Sequence, residues 1–359
     1  MVRSDICIAG AGIIGLSLAL ELQARGLSIT VVEAGLPLRE ASTAAAGMLA
    51  ADDPHNPAEL SALAHLSIAL YQQFLDRLQS LGGIAVPFQT AFTLQSADGQ
   101  PSTTLEPRFL TSSDETAPPW SSGFTLLNEH SVDPRQLAAA LLAAVASTSI
   151  HLSPQAPIIS TSTREDSVVV STSADTIEAA HFVDCTGAWA SDPAYTVIPI
   201  KGQMLALALP PEIPMRRTLR TKDIYIVPRT AGPNAGRAII GATVEDVGFD
   251  KIVHAEPIED LRRHAVALVP ELARAAVIES WSGLRPASAD RLPLIGPHPT
   301  KPRHWIATGH FRNGILLAPA TARIMTQLVL NEKPSVSMEA FSPSRPMASN
   351  NPATLAVRT

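Results

Sequence analysis

Ile6-Cys7-Ile8-Ala9-Gly10-Ala11-Gly12-Ile13-Ile14-Gly15 sets the fold of this chain. The first four residues are a short apolar run of the kind that forms a parallel strand buried on both faces. GxGxxG follows directly, and helix formers continue from Leu16 to Arg25 until Gly26. Ile29-Thr30-Val31-Val32 reads as a second strand, and Glu33, 18 residues past Gly15, ends it. In such a βαβ unit the three glycines serve different ends. One makes the tight turn, one admits a pyrophosphate to the backbone, and one lets helix and strand pack closely. Phosphate charge is expected on the amides and dipole of the helix N-terminus, with Glu33 accepting hydrogen bonds from an adenosine ribose. Gly10, Gly12, Gly15 and Glu33 are thus candidate nucleotide-binding residues. The unit specifies an ADP moiety without distinguishing between the dinucleotides that contain one.

Outward from this unit, 359 residues with 46% hydrophobic and 17% charged content leave room for two lobes with a large buried core. The N-terminal apolar stretch is broken by glycines and has no small-residue cleavage site, so it reads as a strand and not a signal peptide. No run approaches 18 apolar residues, so no membrane span is expected. A net charge of −6 gives no electrostatic case for nucleic acid. The one basic cluster, Arg216, Arg217, Arg220 and Lys222, reads as a solvated loop face. Cys7 and Cys185 sit at apolar strand positions, as small buried hydrophobes do in a reducing, cytoplasmic setting. The histidines show no metal-ligand spacing, so no metal site is expected. No GxSxG or Cys/His nucleophile pattern occurs.

Two helix starts share one signal: Asn56-Pro57-Ala58-Glu59 and Asp133-Pro134-Arg135-Gln136 each place a capping side chain before a proline. The first predicts a helix whose apolar face is Leu60, Leu63, Leu66, Leu70, Phe74, Leu78 and Leu81, ending at Gly82-Gly83. The second predicts a helix over 137–146. Strands are expected at 149–152, 167–170, 181–185, 204–209, 224–227, 238–241 and 305–308, with helices over 257–269 and 315–331. The fold class that follows is α/β: a Rossmann-like lobe from 1–85, 132–196 and 283–342, and an α+β lobe with a mostly antiparallel sheet from 86–131 and 197–282. Residues 343–359 read as a loose tail.

Three further segments carry chemistry. Ser42-Thr43-Ala44-Ala45-Ala46-Gly47-Met48-Leu49 is small and hydroxyl-bearing, which suits close approach to a pyrophosphate and a flat ring, with Met48 as a polarizable contact or a core methionine. Trp281-Ser282-Gly283-Leu284-Arg285-Pro286 places an arginine where a bidentate grip on a carboxylate competes with a structural ion pair. Thr308-Gly309-His310-Phe311-Arg312-Asn313-Gly314-Ile315-Leu316 ends a strand, turns, and begins a helix whose N-terminus is an anion site.

Together with Ile224-Tyr225-Ile226-Val227-Pro228-Arg229, these segments resemble the D-amino-acid-oxidase family of FAD-dependent flavoproteins, and most of all its glycine-oxidising members, from about residue 3 to 342. The resemblance implies a GR2-type FAD domain and non-covalent FAD. It places Ile13, Ile14, Glu33, Ala34, Ala41, Ser42, Ala46, Gly47 and Met48 along the cofactor, Ile158 near its adenine, and His310, Phe311, Arg312, Asn313, Gly314, Ile315 and Leu316 along the flavin. It makes Arg285 the holder of the substrate carboxylate, Tyr225 a pocket tyrosine and Arg312 a second arginine near the mouth. With Met48 these are the candidate catalytic residues. Asp223 and Val244 depart from the family pattern and leave the pocket's preference open. No cysteine lies near Arg312, so covalent flavin attachment is not expected.

The activity implied is oxidation of glycine by FAD and oxygen to the imine and on to glyoxylate, ammonia and peroxide, serving thiazole formation in thiamine biosynthesis, in an enzyme that is often a homotetramer. Related readings are a sarcosine or D-amino-acid oxidase, or a dehydrogenase passing electrons to a quinone. An NAD-dependent dehydrogenase or a non-catalytic nucleotide-binding module fits the first 33 residues equally well and leaves 42–49 and 309–316 without purpose.

Overall fold

The computed structural model describes residues 2–96, 123–213 and 215–346. The expectations for the rest of 86–131 and for the tail beyond 346 lie outside the described residues. Among the described residues, one sheet runs in the order Leu294–Pro297, His304–Thr308, Thr176–Asp184, Val2–Ala9, Ile29–Val32, His151–Ser153, with Val168–Thr172 and Ile158–Thr163 attached as an antiparallel flap. Val2–Ala9 pairs in parallel with Thr176–Asp184 on one side and Ile29–Val32 on the other. Its C-terminal edge is therefore a topological switch point, where open α/β sheets bind ligands. Ile6 to Ala9 and all of Ile29–Val32 are buried, because helices or the flap cover both faces.

The glycine turn divides its work as the spacing predicts. Gly10 has φ +97°, and a Cβ there would stand 2.4 Å from the Cys185 carbonyl oxygen. A Cβ on Gly15 would meet the Gly10 carbonyl oxygen at 2.0 Å, so the helix Ile13–Gln23 lies on the strand's end only because that side chain is absent. A Cβ on Gly12 would meet only Ser42 Oγ, at an ordinary contact distance of 3.4 Å.

A second sheet runs Val277–Ala287, Ile198–Ala208, Arg237–Gly241, Tyr225–Arg229, Thr218–Arg220, Thr93–Ser96, Phe124–Leu127, antiparallel except between Thr218–Arg220 and Thr93–Ser96. The helix Ala255–Leu268 packs its Leu261, Ala265 and Leu268 on one face of this sheet. The other face carries Met204, Ala206, Val227 and Ile239 together with Ala46 and Met48 from the first lobe. Val277–Ala287 runs unbroken through the boundary expected between 282 and 283.

The helices Ser61–Gly82 and Gly314–Val329 are joined by an unusual seam. Pro319 lies inside the second helix, so it has no N–H for the carbonyl of Ile315. Tyr71 Oη donates to that carbonyl at 3.0 Å. One residue on, Ser67 Oγ donates to the Leu316 carbonyl at 2.6 Å and accepts from the Ala320 N–H at 3.2 Å. The buried stripe is accordingly Leu63, Ala64, Ser67, Tyr71, Leu75 and Leu78; of the expected apolar face Leu60, Leu63 and Leu78 are buried, while Leu66, Leu70, Phe74 and Leu81 are only half-buried. Two polar residues occupy the buried face because the proline's broken ladder needs them.

Four sequence expectations are corrected. Asn56 does not cap the helix. Its amide donates to the Ala50 carbonyl and its oxygen accepts from Asn313, while a 3-10 turn Ala58–Leu60 opens the helix instead. Arg217 and Arg220 are not a solvated face. Both are buried, Arg217 beside the Phe92 ring and Arg220 against Glu129 and Asp53, whose carboxylates offset the burial of its charge. The tail does not begin loose, for Arg345 makes two bonds to the Asp290 carboxylate at 2.7 and 2.8 Å. The fourth is Leu316, 1% exposed and part of the core instead of the cavity wall.

The seam gives a direct prediction. Tyr71→Phe leaves the Ile315 carbonyl buried and unpaired, which costs about 1–3 kcal/mol. A lowered urea midpoint with unchanged slope is expected, and an unchanged midpoint contradicts the assignment.

Candidate active site

A cavity of about 1710 Å³ lies between the two sheets and reaches from the glycine turn to the second sheet's inner face. Gly10, Gly12, Ile13, Ile14, Glu33, Ala34, Ala41, Ser42, Ala46, Gly47, Met48, Ile158, Tyr225, Arg285 and the run His310 to Ile315 all line it. Gly15 and Leu316 do not, the first consumed by helix–strand packing and the second by the core. Asp223 and Val244 also line the cavity, at its exposed rim.

At one end the first turn of Ile13–Gln23 presents amides that have no partner within a helix. Ser42 Oγ accepts from the Ile13 N–H at 2.9 Å, tying the small-residue segment to the glycine turn. Glu33 braces the same turn: Oε2 accepts from the Ala11 N–H at 2.8 Å and Oε1 from the Gly35 N–H at 2.9 Å. Each carboxylate oxygen has a second lone pair, so this leaves capacity for hydroxyls in the cavity. Ala156, Pro157 and Ile158 form an apolar wall nearby.

At the other end Arg285 lies flat on Ile198–Ala208. A Cβ on Gly202 would stand 2.2 Å from Arg285 Nη2 and 2.5 Å from Cζ, so this approach requires glycine. Nη1 donates to the carbonyls of Thr243 at 3.0 Å and Lys201 at 3.3 Å. Lys201 itself is fully buried, with its Nζ 2.6 Å from Asp250 Oδ2 and 3.8 Å from Glu245 Oε2. The hydrogen bond from Lys201 holds the Asp250 carboxyl down to about 2. Tyr225 crosses Gly241 in the same fashion, with its hydroxyl 3.6 Å from Met204 Sδ. Burial raises the Tyr225 phenol, and the opposing pull of the Arg285 guanidinium only moderates this. Tyr225 therefore stays protonated throughout the neutral range.

The turn 309–313 brings the third segment to the same place. Phe311 adopts φ +47° and its N–H donates to the Pro286 carbonyl at 2.7 Å, which fastens the turn to the end of Val277–Ala287. Arg312 Nη2 donates to Asp53 Oδ2 at 2.8 Å. Burial would raise the Asp53 carboxyl, but Arg312, Arg220 and hydrogen bonds from His55 together hold it below the usual range. His310 turns inward, with Nε2 at 3.0 Å from Thr321 Oγ1, and burial lowers its imidazole to about 3. It is neutral at any working pH and is not an acid–base group for the cavity.

Asp53, Lys201, Gly202 and Thr243 belong to the site without being legible in the sequence. Thr243 acts through its main chain and Gly202 through an absent side chain, neither of which has a sequence signature. Asp53 sits in a polar loop with no motif, and Lys201 on a strand reads as a surface charge.

A parallel-sheet nucleotide lobe joined across one cavity to an antiparallel sheet carrying an arginine and a tyrosine defines a dinucleotide-dependent oxidoreductase. The profile of the family described as FAD dependent oxidoreductase (DAO) matches residues 5–328, and the chain belongs to that family, with FAD as its cofactor. The "Bifunctional protein ThiO/ThiG" of Nostoc sp. is 35% identical over 97% of this chain, and the chain spans 56% of that relative's length. The glycine oxidase of Geobacillus kaustophilus is 30% identical over 96% of this chain and 97% of its own. The crystal structure of glycine oxidase from Geobacillus kaustophilus superposes with a TM-score of 0.86 at 29% identity, covering 97% of this chain and 100% of that one. The residues present fit FAD. The cavity is continuous from Glu33 and Ser42 to Arg285, Gly12 leaves the backbone open to a pyrophosphate, and helix N-termini at Ile13 and Gly314 border it.

His310 gives a test of burial by pH. Between about 3 and 6.5 only the unfolded chain binds this proton. The contribution to stability is whole above about 6.5 and is lost as pH falls, by up to about 1.4 kcal/mol per pH unit. The urea midpoint of His310→Asn should fall less steeply than that of the native chain between pH 6.5 and 4. Parallel losses would show that His310 is not buried neutral.

Proposed function

We propose that the chain is a glycine oxidase, converting glycine, oxygen and water to glyoxylate, ammonia and hydrogen peroxide, and serving thiazole formation in thiamine biosynthesis. Arg285 carries this reading. It is a guanidinium seated on a bare strand, with one nitrogen committed to main-chain carbonyls, in the same cavity as the glycine turn. In our reading the remaining donors take the substrate carboxylate as a bidentate pair, and Tyr225 donates its hydroxyl to the same carboxylate. FAD, when bound, supplies the two-electron acceptor. The chain's own part is to fix the carboxylate so that Cα–H is presented in one orientation, a contribution of proximity and not of proton transfer.

No base is assigned. Tyr225 is held protonated and His310 is turned into the helix, so the substrate enters as its neutral amine. Met48, between the cavity and the Met204 cluster, is read as an apolar contact to the ring. Non-covalent FAD is part of the proposal: both cysteines, Cys7 and Cys185, are buried free thiols, and neither lies in the 309–316 turn that carries Arg312. So are a cytoplasmic setting and assembly as a homotetramer. Among the described residues no helix is long and apolar enough to cross a membrane.

Purified protein should be yellow and consume oxygen with glycine. Arg285→Ala should raise the apparent KM roughly 10- to 100-fold with FAD retained. Loss of FAD with unchanged affinity for glycine would refute the role given to Arg285, and a panel including sarcosine and D-amino acids on oxygen uptake separates the neighbouring activities.

The pH profile is a second test. kcat/KM should climb with pH as the substrate amine deprotonates, with no fall from ionisation of Tyr225, whose phenol burial raises above its ordinary value. A rise set by an enzyme group near pH 6.5 would point to a base that the proposal omits.

A further inference from the structure

Two arginines, Arg285 and Arg312, share the cavity, yet they stand in different electrostatic circumstances. Arg285 is seated on neutral main-chain carbonyls. Arg312 instead ends a chain of alternating charge, Glu129–Arg220–Asp53–Arg312. Its links are Arg220 Nη1 to Glu129 Oε2 at 3.0 Å, Arg220 Nε to Asp53 Oδ2 at 3.8 Å and Arg312 Nη2 to Asp53 Oδ2 at 2.8 Å. Two carboxylates face two guanidiniums, so the chain sums to zero. Asp53, Arg220 and Glu129 are nearly fully buried, and only Arg312 is substantially exposed, at 38%. The pair joins the loop after Met48 to the start of the helix Gly314–Val329, and Asp53, Arg220 and Arg312 all line the cavity. The charge of Arg312 also reaches the Tyr225 phenol, which places it near the carboxylate pocket.

We propose that Asp53 is a specificity-determining residue which, by occupying Arg312, restricts the pocket to amines with a single carboxylate. This rests on the reading of Arg285 as the substrate's carboxylate holder. A second carboxylate entering beside Arg312 meets a cation already paired and an anion 2.8 Å from it. It loses its water without gaining a counter-charge, which is selection by repulsion as much as by fit. Without Asp53, Arg312 is released as a second anion site in the same cavity.

The test uses FAD-loaded protein and perturbation of the flavin absorbance by ligands that are not oxidised: acetate against malonate and succinate. The native chain should bind acetate more tightly than either dicarboxylate. Asp53→Asn should lower the dicarboxylate-to-acetate ratio of Kd values by roughly tenfold, the effect of removing one like charge at short range. Adding Arg312→Gln to that variant should restore the native ratio. An unchanged ratio in Asp53→Asn overturns the proposal. If that variant does not fold, the native order alone decides. Tighter binding of malonate or succinate than acetate overturns the proposal and points to Arg291, which lies over the Phe311 ring and lines the same cavity. Native protein that shows the predicted order but does not oxidise glycine would refute the functional reading and leave the selectivity of Asp53 standing.

Discussion

A guanidinium can lie flat against a β-strand only where the strand offers no side chain, and the site depends on that constraint. Gly202 supplies the bare place, and the register pairing Ile200 with Arg285 and Gly202 with Gly283 brings the arginine over it. Once there, Nη1 finds the Lys201 and Thr243 carbonyls, and the buried Lys201 ammonium pins the following loop through Asp250 and Glu245. A Cβ at 202 would push the guanidinium off both carbonyls. The seating of Arg285 is thus set by backbone spacing in the second sheet.

The same economy of small residues joins the lobes. Gly283 faces Ala44, whose carbonyl accepts from Trp281 Nε1 at 3.0 Å, so the small segment after the second strand is fixed to the strand that carries Arg285. Ser42, two residues earlier, is bonded to the helix over the glycine turn. A short peptide therefore couples the glycine-turn end of the cavity to the end that carries Arg285. The Asp53–Arg220 contact makes a second tie between the lobes, by charge instead of packing.

Much of this is legible in the sequence, for identifiable reasons. The βαβ unit, the Asp133 cap and the strand–turn–helix at 304–329 follow local periodicity and local capping, and the structure carries all three. Signals that depend on a distant partner mislead. Ser67 and Tyr71 are buried because a proline some 250 residues away breaks a helix ladder, and Arg217 and Arg220 because buried acids and a ring receive them. Asn56 resembles a cap because a proline follows it, but a tertiary bond to Asn313 has the stronger claim. Motifs name the candidate site residues, and what their sequence does not disclose is Arg312's engagement with Asp53.

On the proposed function, glycine itself delivers electrons to the bound FAD in this cavity. Anaerobic titration of the FAD-loaded protein with glycine, followed by visible absorbance, tests this without reliance on oxygen chemistry. Glycine should bleach the flavin bands, and readmitted oxygen should restore them. A flavin that keeps its colour under excess glycine, but is bleached by another amine, would contradict the account.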